Sequence, residues 1–130
     1  MNVGNTFNQS FSVTAEIYSG FIRLFKDENP LHTNEMFAKE KGFASVVMHG
    51  NILNGFISFF IGECLPMKNV IIHTQEIKFN NPCYLGDQLL FEAMITDMVS
   101  AVSVVVFKFQ FKNQDGLKIA NGKIQIGIIK

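Results

Sequence analysis

Tryptophan is absent, cysteine occurs twice and proline three times, and eleven Lys and Arg balance eleven Asp and Glu. With no net charge there is no basic stripe, so the electrostatic footprint of a nucleic-acid binder is missing. Cys64 and Cys83 stand alone, without a CxxC pair or a metal-ligand spacing, which leaves free thiols as the expectation and excludes a disulfide framework. Long apolar runs are missing too. "ILNGFISFFIGECL" is too short and too interrupted to span a bilayer, so no membrane partner is expected. The opening "MNVGNTFNQSF" lacks a charged segment followed by an apolar one, so the expectation is a cytoplasmic chain without a signal peptide, in which the sequon "NQS" has no role.

What is present describes one globular domain over residues 1–130. Apolar residues make up 48% and charged residues 17%, which excludes disorder and allows one substantial core. Fourteen Phe fill the place of the missing Trp, either packed together or lining a cavity. No repeat or linker divides the chain; helical patterns come first and strand patterns last.

"FSV" (11–13) reads as a short strand. From Thr14, a plausible N-cap, Ile17, Phe21, Leu24 and Phe25 recur at helical spacing, giving one apolar face. "DENPLH" (27–32) then interrupts as a loop, because Pro30 disfavours helix at Asn29. Thr33 is the expected cap of a short helix with Met36, Phe37 and Phe43 inward, stopped by Gly42. "GNILNGFISFFIGECLP" (50–66) has no polar face, which predicts a helix buried all round, with close backbone packing at Gly55 and Gly62. Four strand-like runs follow: "NVIIHTQEIKF", "DQLLFEAMITDMV", "SVVVFKFQFK" and "LKIANGKIQIGII", the last two joined by the turn "NQDG". Val104, Val106, Phe107 and Phe109 set against Lys108, Gln110 and Lys112, and Ile124, Ile126 and Ile128 against Lys123 and Gln125, predict a sheet with one dry face. A buried helix and a one-faced sheet fit together if the antiparallel sheet wraps the helix, an α+β arrangement.

Three stretches could carry chemistry. In "DENPLH", spacing alone leaves two readings: an Asp capping loop amides beside an exposed His, or a general acid/base pair, Asp27 and His32, held by Asn29 and Pro30. A carboxylate and an imidazole that titrates near neutrality can together activate one water. In "MHGNIL", His49 and Gly50 open the apolar helix. Either Gly50 eases the chain into the helix while His49 packs, or the Gly50 amide receives a thioester oxygen as charge develops on it. "NPCYLGDQLLF" (81–91) reads as a turn leading into a strand. His73 and Glu76 point to opposite faces of a strand, so no metal site is expected there, and no Ser or Cys has the setting of a nucleophile.

Taken in order, "D-x-N-P-x-H", "FAKEKGFA", "HG" opening a helix that ends "LP", and "F-x-x-P-x-x-x-G-D" resemble the MaoC-like, (R)-specific enoyl-thioester hydratase family of single hot-dog proteins. The resemblance runs from about "FSVTAE" to the C-terminus. It implies a hot-dog fold, a homodimer with sheets joined edge to edge, and reversible addition of water to a trans-2-enoyl thioester, without metal or cofactor. It assigns Asp27 and His32 to hold and activate the water and Gly50 to receive the thioester oxygen, with Asn51 beside it. The substrate carrier is coenzyme A, or alternatively acyl carrier protein as in a 3-hydroxyacyl dehydratase; a non-catalytic acyl-thioester binding subunit is the reading from another class. Three departures from the family pattern, Phe25-Lys26 before the Asp, Asn51 after HG and Gly55 six positions beyond His49, bear on substrate range rather than on reaction type.

Overall fold

Thr6–Ser12 forms the first strand, β1, five residues longer at its start than "FSV" alone suggested, because "TFNQ" continues the same alternation. The computed structural model describes residues 1–130. Thr14 caps α1 (Ala15–Phe25) as expected, its hydroxyl accepting from the Ile17 N–H, a bond that typically contributes about 1 kcal/mol. Lys26 closes the helix in the left-handed region, with φ 60°. Two short helices follow, α2 (Pro30–Thr33) and α3 (Glu35–Glu40), then α4 (Asn51–Phe59), which runs into one wider π-helical turn over Phe60–Cys64. No helix is long and apolar enough to cross a membrane.

The other strands are β2 (Val70–Phe79), β3 (Gln88–Val99), β4 (Val104–Lys112) and β5 (Lys118–Ile128). They join β1 in one antiparallel sheet of order β1-β3-β4-β5-β2, leaving β1 and β2 as edges. Register shifts in β2, between Ile72 and Thr74, and in β3, between Ile95 and Asp97, add local twist that curls the sheet. The dry face carries Phe91, Ile95, Phe107, Phe111, Ile124 and Ile126, all inaccessible, against Ile52, Leu53, Phe56 and Ile57 of α4. Each such side chain contributes about 1.5–3 kcal/mol through burial. Phe rings interlock the two layers, with Phe11 stacked on Phe56 at 4.4 Å and Phe60 packed on Phe91 at 4.8 Å. This is the α+β hot-dog arrangement.

Several local expectations are corrected. α4 is covered on one side only: Asn51, Gly55, Ser58 and Phe59 are exposed, and a Cβ at Gly55 or Gly62 would meet nothing within 4 Å, so these glycines serve no close packing. Leu24, Phe25 and Met36 are also exposed. In β4 the buried set is Val105, Phe107, Phe109 and Phe111; Val104 and Val106 share the outer face with Lys108, because strand parity admits only alternate residues. Asn34, not Thr33, caps α3, accepting from the Phe37 N–H.

Candidate active site

"DENPLH" interrupts the helices as expected over Asp27–Asn29, and its second half, from Pro30, opens the short helix α2. Pro30 sits at the first position of α2, where no N–H is needed, and the Asn29 side chain caps it by accepting from the Leu31 N–H at 3.0 Å. One step earlier, Asp27 Oδ1 accepts from the Asn29 N–H at 3.2 Å. The proline therefore starts the turn that carries His32, and the acid is bound to the residue that caps it.

His32 is held at three points. Its Nδ1–H donates to the Val47 carbonyl at 2.7 Å, its own carbonyl accepts from the Tyr18 hydroxyl at 2.6 Å, and its ring stacks on His49 at 4.0 Å between centroids. A carbonyl can only accept, so Nδ1 carries a proton, and in the neutral ring Nε2 keeps its lone pair. That nitrogen lies 3.9 Å from Asp27 Oδ2. The gap is too long for a hydrogen bond and suits one water touching both groups.

The third component is the start of α4. The backbone N–H groups of Gly50 and Asn51 donate to no acceptor in the chain, while the Gly50 carbonyl accepts from Leu53. A Cβ at Gly50 would stand 2.8 Å from the Phe79 ring, so that ring packs directly against the Gly50 backbone. Asp27, His32, Gly50 and Asn51 all line one cavity of about 480 Å³. A second groove of about 940 Å³ runs between α1 and α4 past Ile17, Leu24, Gly55 and Phe56, and shares Asp27 and Asn51 with the first. The Asn51 side chain faces along α4, accepting from the Asn54 amide at 2.8 Å, and Asn54 in turn accepts from Gln75 of β2.

Four of the six residues singled out in the sequence, Asp27, His32, Gly50 and Asn51, line this cavity, and Asn29 and Pro30 form the turn between Asp27 and His32 without reaching it. Reasoning from sequence missed Tyr18, the Val47 carbonyl and Phe79, and left His49 as packing. Tyr18 is one of two tyrosines and lies in no motif that marks it; a backbone carbonyl such as Val47's has no sequence signal.

Asp27, His32 and His49 offer ligand atoms within 4.8 Å of one another. Two of the four imidazole nitrogens are engaged with carbonyls, and stacked rings aim their in-plane lone pairs side by side instead of at a common point. The arrangement suits proton transfer better than ion binding. Cys83 also borders the cavity, but burial, then the neighbouring Asp87 carboxylate, pushes its thiol up to about 12, so it stays protonated and is no nucleophile. Asp87 itself holds the turn before β3, accepting from the Tyr84 N–H at 2.9 Å and from Gln114 at 3.1 Å, with Gly86 at φ 90°.

Known proteins are similar to this chain in sequence and in fold. The (R)-specific enoyl-CoA hydratase of Rhodospirillum rubrum is 34% identical over 104 residues, covering 77% of this chain and 72% of the relative. The mitochondrial 3-hydroxyacyl-[acyl-carrier-protein] dehydratase of Arabidopsis thaliana is 23% identical over 126 residues, covering 95% of this chain and 75% of the relative. The solved structure of the (R)-hydratase from A. caviae involved in PHA biosynthesis superposes with a TM-score of 0.89 at 26% identity, covering 98% of this chain and 97% of that one. The sequence model of the MaoC like domain matches residues 3–112, which is most of the chain, and this protein belongs to that family.

Proposed function

We propose that this protein is an (R)-specific enoyl-CoA hydratase, a hydro-lyase that reversibly adds water to trans-2-enoyl thioesters to give (R)-3-hydroxyacyl thioesters. The observation that carries the reading is the 3.9 Å gap between Asp27 Oδ2 and His32 Nε2, facing the same cavity as the unpaired Gly50 amide. Water held in the gap loses a proton to the pair as its oxygen bonds to C3. The thioester oxygen gains charge against the Gly50 N–H, and the proton returns at C2 as the enolate collapses. Asn51 supplies a second amide at the helix start, and Asn29 and Pro30 keep the turn in place. The reaction needs no cofactor or metal. We read residues 1–130 as one domain acting in the cytoplasm.

The test is the loss of enoyl absorbance with crotonyl-CoA and trans-2-hexenoyl-CoA. Turnover of either supports the reading; no turnover of any enoyl thioester overturns it and leaves a non-catalytic acyl-binding subunit. The coverage of this chain by the Arabidopsis dehydratase favours a second reading, the same chemistry run as dehydration on acyl carrier protein. Comparing kcat/KM for crotonyl-CoA and crotonyl-acyl carrier protein separates the two carriers.

The ten-residue edge of β2 has no partner in the chain and exposes Ile71 and Phe79. An open edge of that length invites pairing, so a homodimer with one continuous sheet is expected. Sedimentation that shows only monomer at micromolar concentration would remove this element of the proposal.

Gly55 borders the groove between α1 and α4 with no atom near its would-be Cβ. We expect the acyl chain to run there from Asp27, so that Gly55→Ser shortens the preferred chain. The measurement is the ratio of hexenoyl to crotonyl turnover, and an unchanged ratio places the acyl chain elsewhere.

A further inference from the structure

His49 is 3% exposed, and its Nδ1 has no hydrogen-bond partner. Its other nitrogen, Nε2, lies 2.9 Å from the main-chain carbonyl of Asp27. Since that oxygen only accepts, the proton of His49 resides on Nε2 and points at the acid's own peptide group. The ring cannot turn away from this bond easily: Phe21 covers one side at 4.6 Å between centroids and His32 stacks on it at 4.0 Å. The carbonyl it grips follows Lys26, whose φ of 60° is a conformation that non-glycine residues adopt only when held there. The bond also joins two halves of the site, because the next residue after His49 is Gly50.

We propose that His49 is a positioning residue for the hydration reaction: its Nε2–H bond to the Asp27 carbonyl sets the acid opposite His32 and in register with the Gly50 amide. This rests on the hydratase reading above. The titratable groups facing the His32–His49 pair are Tyr18 from α1, Asp27 from the turn and Cys83 from the segment before β3. Tyr18 is committed to the His32 carbonyl, and none of the three replaces the donor that His49 supplies.

Two substitutions separate the donor from the ring. His49→Phe keeps a ring between Phe21 and His32 but donates nothing; His49→Gln loses the ring but presents an N–H at comparable reach. A misplaced catalytic group costs about a hundredfold, so His49→Phe is expected to lower kcat about a hundredfold with KM changed less than about threefold. His49→Gln is expected to recover kcat to within about tenfold of wild type. If His49→Phe does not fold, His49→Met serves as the variant without a donor. Wild-type kcat in the variant without a donor, or equal losses in that variant and His49→Gln at unchanged melting temperature, overturns the proposal while the hydratase reading stands. A wild type inactive on every enoyl thioester overturns both.

Discussion

Asp27→Asn is expected to lower hydratase turnover by about two to four orders of magnitude, the range for a lost general acid/base group, while leaving the fold intact. The carboxylate has two tasks, and Asn performs only one of them. Its Oδ1 can still accept from the Asn29 N–H, which holds the turn. The charged Oδ2 that faces His32 Nε2 becomes an amide with no basicity. Because the Asp27 side chain is 49% exposed, no buried partner is stranded, and the melting temperature should move by no more than about 2 °C. His32→Ala should cause a similar kinetic loss with a larger structural cost, since the Val47 carbonyl and the face of His49 both lose their contact. That cost is about 1–2 kcal/mol. The two groups act on one water, so the double variant Asp27→Asn/His32→Ala should be little worse than the poorer single variant. Steady-state kinetics beside thermal melts reads all of this. Retention of most activity by Asp27→Asn would defeat the catalytic assignment outright.

The strands were legible because period-2 alternation is local: each of the last four runs became one strand, with "NQDG" at the turn between β4 and β5. The site was legible for a different reason. Asp27, Asn29, Pro30 and His32 lie within one turn, so their mutual geometry follows from short-range capping that the sequence states directly. What failed were inferences about environment. "GNILNGFISFF" has no charges to reveal a wet side, and only the packing of α4 against the sheet decides that Gly55 and Ser58 face outward. Val104 and Val106 were misassigned because β-branched residues suit either face of a strand, whereas Phe107 and Phe109 fix the parity. His49 shows the same limit. Its identity was noticed, but its hydrogen bond reaches twenty-two residues back along the chain, a distance over which no sequence pattern operates.

Three glycines, two in β5 and one in α4, give a graded test of how much room the surroundings leave for a side chain. A Cβ at Gly122 of β5 would fall on the Glu76 carbonyl of β2 and 2.9 Å from Phe109 Cζ. Glu76 O is main chain and cannot rotate aside, so Gly122→Ala must push β2 off β5. The expected cost is about 3 kcal/mol, the upper part of the usual overpacking range, or a melting temperature lower by about 10 °C for a chain of this size. At Gly127 the added Cβ would meet the His73 imidazole instead. His73 is exposed and bonded only to Gln125, at 3.3 Å, so it can swing outward and Gly127→Ala should cost less than about 1 kcal/mol. Gly55→Ala meets nothing and lies in a helix, where replacing glycine gains about 0.5–1 kcal/mol. The order of melting temperatures is therefore Gly55→Ala, then Gly127→Ala, with Gly122→Ala far below. The effect of Gly122→Ala should reach the chemistry, because β2 ends in Phe79, whose ring packs against Gly50 and lines the cavity. Turnover measured well below the melt should then fall together with stability. A Gly122→Ala protein that melts like wild type would mean that β2 has freedom to shift against β5, and the close packing of Phe79 against Gly50 would lose its support.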